Sequence, residues 1–180
     1  MKTITLIRHG EVQEDFIGKY NGHNDIALSK NGILQTLTLA KKLSNQHFDI
    51  VFCSDLRRTK QTLQVLQLQT NKVVLSKNLR EKSWGEDEGK SFEQLTKEGK
   101  EYKDFMQWIN SLSGESVEDF QKRVIEYFFL TIASSNAKNI AVVTHSGVIK
   151  ILLKFIKNLN FEEAFSLRLA YNGTIILYFK

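Results

Sequence analysis

The 180-residue chain carries 25 Lys and Arg against 20 Asp and Glu, a formal charge of +5, with 42% hydrophobic and 25% charged residues. This length suits one domain covering residues 1–180, and the balance excludes a collagen, a disordered tail and a coiled-coil rod. No apolar run reaches the ~18–20 residues of a membrane span, and the basic residues are scattered with no run of five or more.

The first apolar stretch, Thr3 to Ile7, is β-branched and reads as a strand. Arg8 and His9 stand where a signal peptide would continue its apolar core, so secretion by that route is not expected. Residues 33–44 place Ile33, Leu37, Ala40 and Ser44 on one helical face, with Ser29 as an upstream cap. A second strand covers Asp49 to Cys53. Ser54 is expected to cap a helix running to about Leu68, and Lys72 to Leu75 form a third strand. After a loop rich in Gly and Glu, the spacing of Ser91 and Gln94 is that of a capping box.

Ser116 opens the longest predicted helix, with Val117, Phe120, Val124, Tyr127, Phe128 and Ile132 on its buried face. Asn139 to Thr144 form a strand, Val148 to Ile156 a helix, and Thr174 to Phe179 a closing strand. Strands alternating with helices imply crossover units. The expected fold is therefore a three-layer α/β/α sandwich with a mostly parallel central sheet. The turn at Tyr171-Asn172-Gly173 allows the last strand to run antiparallel. Cys53 is the one cysteine, which excludes an intramolecular disulfide and cysteine-rich metal sites and fits a cytoplasmic setting.

The chemistry is concentrated at strand ends. Leu6-Ile7-Arg8-His9-Gly10 and Val142-Val143-Thr144-His145-Ser146-Gly147 each run from an apolar strand into a histidine, with glycine following within two residues. Open α/β sheets bind ligands at the carboxyl ends of their strands, and the helix after His145 would add its N-terminal amides as an anion site. Of the other histidines, His47 reads as surface and His23 as a loop residue able to border a pocket. No His-x-x-x-His or Glu-x-x-His spacing occurs, so no metal site or cofactor is indicated. Arg57 and Arg58 lie in a helix first turn, a position that opposes the helix dipole and suits the binding of an anion. Only one of the two can face a pocket. Glu81, Glu86, Asp87 and Glu88 cluster around Trp84, and residue chemistry alone leaves all four open as proton donors.

Together these segments resemble the histidine phosphatase superfamily, also called phosphoglycerate-mutase-like. Leu6 to Glu11 is similar to its signature, and Ser54 to Thr62 to its Ser-Pro-Leu-x-Arg-Ala-x-Gln-Thr element, which selects Arg58 over Arg57. Leu79 to Gly89 is similar to its Glu-x-x-x-Gly-x-x-Glu-Gly stretch, which selects Glu81. Gly114-Glu115-Ser116 and Val143 to Gly147 complete the set in the family's order. Tyr20 to Asp25 and Phe48 to Leu56 look most like the α-ribazole phosphatase branch. The chain departs from the pattern at Val12, where Ser or Thr is usual, at Asp15, where many members have a phosphate-binding Asn, and at Asp55, in place of proline.

The resemblance implies a metal-independent phosphomonoesterase, with α-ribazole 5′-phosphate as candidate substrate. His9 would be the nucleophile, forming a phosphohistidine. Arg8, Arg58 and His145 would hold the phosphoryl oxygens, and Glu81 would serve as general acid and base. Asn21, Gly22 and Ser146 are expected to join Arg8, Arg58 and His145 in binding substrate. The expected partner is a small phosphorylated metabolite, with no nucleic acid and no membrane, and the chain is expected to be a monomer or homodimer. The alternatives are mutase-type phosphoryl transfer and a non-catalytic phosphate-binding scaffold. Only about thirty residues separate Glu81 from Glu115, little length for loops that would shut water out. The intact set of His9, Arg58, Glu81 and His145 speaks against a scaffold.

Overall fold

The computed structural model describes residues 1–179, and its elements follow the apolar periodicity closely. In chain order they are β1 (Lys2–Arg8), α1 (Lys30–Leu43), β2 (His47–Phe48), β3 (Ile50–Ser54), α2 (Arg57–Leu66), β4 (Gln69–Thr70), β5 (Val73–Ser76), α3 (Phe92–Lys97), α4 (Phe105–Ser111), α5 (Val117–Tyr127), β6 (Asn139–Thr144), α6 (Ser146–Lys157), α7 (Phe161–Ser166) and β7 (Thr174–Phe179). A π-helical stretch, Phe128–Ala133, prolongs α5. β2 and β4 form a separate two-stranded sheet.

The main sheet has the order β5-β3-β6-β1-β7. Its first four strands are parallel and β7 pairs antiparallel with β1, as the final turn allowed. Strand side chains alternate between faces. Ile4, Leu6, Phe52, Ile140 and Val142 therefore pack on one side against α5 and α6. Ile7, Val51, Cys53, Ala141 and Val143 pack on the other against α1 and α2. These are the three layers. A third cluster, around Leu95, Trp108 and Val117, holds the segment between β5 and β6 beside the sheet.

Two local expectations are corrected. In α1 the buried face is Gly32, Thr36, Leu39 and Leu43, one step round from the predicted stripe, so Ile33 and Leu37 are exposed. Thr36 and Gly32 lie on the side that Gly10 and Glu11, after β1, and Asn172, before β7, approach, and close contact there outweighs the larger apolar side chains. Ser29 does cap α1, accepting from the Gly32 amide. Ser54 does not cap α2. Leu56 stands at that position, and Asp25 accepts from the Arg57 amide across the loop at 2.5 Å. The short helices α4 and α7 were not among the predicted elements, although Phe105, Trp108, Ile109 and Leu112, and Phe161, Ala164 and Phe165, follow helical spacing. The Ser91 capping box is present with both reciprocal bonds.

Parallel register brings the site together. Leu6, Ile7 and Arg8 pair with Val142, Val143 and Thr144, so the residues that follow, His9 and His145, emerge side by side. From β1 the chain passes to α1 on one face, and from β6 to α6 on the other. Neighbouring strands whose connections leave to opposite faces open a crevice at their carboxyl ends.

Candidate active site

A cavity of about 380 Å³ occupies that crevice, and Arg8, His9, Asn21, Arg58, Glu81 and Ser146 are among its lining residues. His9 is almost fully buried. Its Nδ1 lies 2.7 Å from the Gly10 carbonyl oxygen. A carbonyl only accepts, so Nδ1 carries the proton and Nε2 keeps its lone pair. Burial first, and then the positive charges of Arg58 and Arg8, hold the His9 pKa well below the ordinary value. The ring is a neutral nucleophile at pH 7.

Arg58 is 1% exposed, and four of its five N–H donors have acceptors. Nε donates to His145 Nδ1 at 3.3 Å, one Nη to the Asn24 carbonyl at 2.9 Å, and the other Nη to the carbonyls of Gly22 at 2.7 Å and Asn21 at 3.3 Å. Burial lowers its pKa to about 10, against the opposing pull of Glu81 and Glu88. It is therefore cationic at neutral pH. Arg57, its neighbour, is exposed. Arg8 is also lowered by burial, and one of its Nη groups donates to the Leu169 carbonyl.

His145 is fully buried. Because Nδ1 accepts from Arg58, the proton sits on Nε2, which faces the Ser54 hydroxyl at 2.9 Å. The hydroxyl expected to cap α2 instead fixes this tautomer. Burial, followed by Arg58 and His9, keeps the His145 pKa well below normal. Its ring meets His9 edge-on at 5.1 Å without forming part of the cavity wall.

The four candidate acids separate cleanly. Glu81 alone among them lines the cavity. Its Oε1 accepts from the Lys82 amide at 3.0 Å and its Oε2 from the Gly147 amide at 2.8 Å. The first-turn amides of α6 had been expected to meet an external anion, yet one of them holds Glu81. Gly147 is required there, since a Cβ would stand 2.0 Å from Glu81 Oε1. Asp87 is buried and paired with Lys100 and Ser113. Glu88 accepts from the amides of Gly22, His23 and Trp84 at 2.7, 2.6 and 3.0 Å. Glu86 is exposed.

Other elements fasten this wall. Asp55, in the place of the family's proline, takes Arg80 through two bonds of 2.6 Å. Thr144 Oγ1 donates to the Leu79 carbonyl at 2.8 Å. His23 Nε2 lies 3.0 Å from the Glu81 carbonyl oxygen, so this loop histidine braces the Glu81 backbone.

Asn21 and Ser146 reach the cavity as expected; Gly22 does not. Its amide goes to Glu88, its carbonyl accepts from Arg58, and a Cβ would lie 2.1 Å from the Lys82 carbonyl oxygen. Its place is structural. Asp15 is exposed and outside the cavity, whereas Val12 is buried and lines it. Gly18, Lys19, Tyr20, Trp84 and Tyr171 complete the wall and were not singled out as binding residues. Among the described residues no three His, Cys, Asp or Glu side chains converge as metal ligands, and no helix is long and apolar enough to cross a membrane.

Residues 4–180 match the histidine phosphatase superfamily (branch 1). The adenosylcobalamin/alpha-ribazole phosphatase of Salmonella typhimurium strain LT2 is 33% identical over 153 residues, 82% of this chain and 76% of that protein. The crystal structure of the alpha-ribazole phosphatase from Shigella flexneri superposes with a TM-score of 0.83 at 27% identity, covering 99% of this chain and 91% of that one. A phosphoserine phosphatase from Entamoeba histolytica, in complex with 3-phosphoglyceric acid, gives 0.79 at 27% identity, covering 98% and 90%.

Proposed function

The chain belongs to branch 1 of the histidine phosphatase superfamily and is a phosphatase of it, and we propose that it hydrolyses a small phosphorylated metabolite through a phosphohistidine on His9, with no metal ion. The observation that carries this reading is the bare Nε2 of a neutral, buried His9 between two guanidinium groups in one cavity with Glu81. Phosphate monoesters repel nucleophiles, so the site must supply positive charge and an uncharged attacking atom together.

His9 Nε2 forms a bond to phosphorus as the bond to the leaving oxygen breaks, and Glu81 gives that oxygen a proton. Water then attacks the phosphohistidine, Glu81 takes its proton, the P–N bond breaks and phosphate leaves. Arg8 and Arg58 carry the charge of the equatorial oxygens. His145 acts with them, its Nδ1 orienting Arg58 through Nε. Asn21 and Ser146 contact the substrate from the cavity wall.

α-Ribazole 5′-phosphate is the first substrate on this reading. The similarity to α-ribazole phosphatases supports it, as do the rings of Tyr20, Trp84 and Tyr171 on the wall, which suit a planar aromatic leaving group. The test incubates purified protein with α-ribazole 5′-phosphate, phosphoserine and 3-phosphoglycerate, with and without EDTA, and traps the phosphoenzyme by rapid quench. Phosphate release with an acid-labile, base-stable phosphoenzyme is expected. Conversion of 3-phosphoglycerate to its 2-phospho isomer without phosphate release would refute the hydrolase reading.

A further inference from the structure

The chain between α7 and β7 crosses the mouth of the site and is tied down beneath it. The Asn172 amide donates to the His9 carbonyl at 3.2 Å and the Arg8 amide to the Gly173 carbonyl at 3.0 Å. Asn172 takes a left-handed backbone with φ +56°, a conformation that asparagine tolerates better than most residues. This turn sets the Tyr171 ring over Arg8, with the guanidinium carbon 4.1 Å from the ring centroid. The same ring lies 5.8 Å from that of His9. Tyr171 and Arg8 are also shared with a second cavity of about 530 Å³ on the α1 side, so the pair partitions the two spaces.

A guanidinium offers five N–H donors in a planar fork. In Arg8 one Nη is taken by the Leu169 carbonyl and the plane is covered by Tyr171, while the buried Nε has no partner. What remains for a ligand are the donors of the fork that Leu169 does not take.

We propose that Tyr171 is a positioning residue: by stacking on the Arg8 guanidinium it fixes the plane of the fork, and with it the directions in which the free donors meet the phosphate. This rests on the reading that Arg8 binds the transferred phosphoryl group. Free rotation about the last side-chain bonds would otherwise spread the donors over many directions, at a cost in affinity for each immobilised side chain. The stacking needs the ring and not the hydroxyl, and inorganic phosphate has no leaving group for that ring to touch, which separates this role from direct contact with substrate.

The test measures inorganic phosphate binding by calorimetry, and turnover of p-nitrophenyl phosphate, for the wild type, Tyr171→Phe, Tyr171→Leu, Arg8→Ala and the double variant Arg8→Ala/Tyr171→Leu. Tyr171→Phe should stay within about threefold of wild type, while Tyr171→Leu should weaken phosphate binding about tenfold, between the scales of an exposed and a desolvated cation–π contact. In the Arg8→Ala background Tyr171→Leu should cost nothing further. An equal loss in Tyr171→Phe, or a full tenfold loss persisting without Arg8, would overturn the positioning role. If Arg8→Ala leaves phosphate binding intact, it is the assignment of Arg8 itself that fails.

Discussion

Two histidines buried neutral beside two guanidinium groups make this fold acid-sensitive in a pH window that its carboxylates do not reach. His9 and His145 are both held well below the ordinary imidazole pKa, chiefly by burial and next by Arg58. In the unfolded chain each titrates near ~6.5. Below that pH the unfolded state binds protons that the native rings refuse, so stability rises with pH here and is lost as pH falls. A ring that stays neutral from pH 7.0 to 5.5 costs the native state about 1.3 kcal/mol, and two cost about 2.5 kcal/mol. That is a large share of the ~5–15 kcal/mol that holds a typical domain folded. His23 is lowered as well and acts in the same direction. The lowered carboxyls of Asp49, Asp55 and Asp87 lose their contribution only as pH nears their unfolded value of ~3.9, well outside the window. Urea unfolding followed by tryptophan fluorescence at pH 7.0, 6.5, 6.0 and 5.5 measures the slope directly. Wild type should lose at least about 2.5 kcal/mol, and His9→Asn and His145→Asn should each lose about 1.3 kcal/mol less than wild type. Stability that stays flat across the window, or an undiminished slope in both variants, would refute the reasoning.

His9→Ala should abolish phosphate release while circular dichroism shows an unchanged fold; retention of more than a few per cent of turnover would remove His9 as nucleophile. Glu81→Gln should damage phosphoenzyme formation from alkyl phosphates ~10²–10⁴-fold and from p-nitrophenyl phosphate much less, because p-nitrophenolate needs no proton to leave. Glu88→Gln should affect both substrates alike, since its carboxylate holds three amides and does not line the cavity; rapid quench on the two substrates decides between these patterns. Gly147→Ala should reproduce the Glu81→Gln pattern, as its Cβ would sit on the Glu81 carboxylate. Activity should survive excess EDTA and be inhibited by vanadate, and loss on chelation restored by a divalent ion would contradict the mechanism.

The elements that were legible in the sequence are those whose signal is local. A run such as Asn139 to Thr144, apolar and β-branched, can be little but a buried strand, and it keeps those bounds in the structure. The Ser91 box closes within four residues. What depends on contacts distant in sequence was less visible. The hydroxyl of Ser54 had a plausible local use as a helix cap, but its partner is a histidine 91 residues away. Gly22 lies beside pocket-lining Asn21, and only the approach of Lys82 and Glu88 shows that it supports the pocket from behind. Tyr171 was open to earlier inference. An antiparallel last strand beside β1 must be preceded by a turn at the carboxyl end of β1, which is where Arg8 and His9 stand. The turn was legible, and its position over the site follows from topology.

How the site keeps its charge available is explained by the company of its acids. A cavity built for a dianion gains little from buried arginines that are already matched by carboxylates. Here each nearby acid but one is turned to another task. Asp25 accepts from the Arg57 amide, Asp55 from Arg80, Asp87 from Ser113 and Lys100, and Glu88 from three backbone amides. Arg58 is held instead by carbonyl oxygens and an imidazole, which satisfy its hydrogens without cancelling its charge. Among the described residues only Glu81 places a carboxyl group on the cavity wall, and it is the group the reaction requires to move a proton. The overall charge of +5 thus matters less than its local distribution, in which neutral acceptors fix the cations and leave their field for the phosphate.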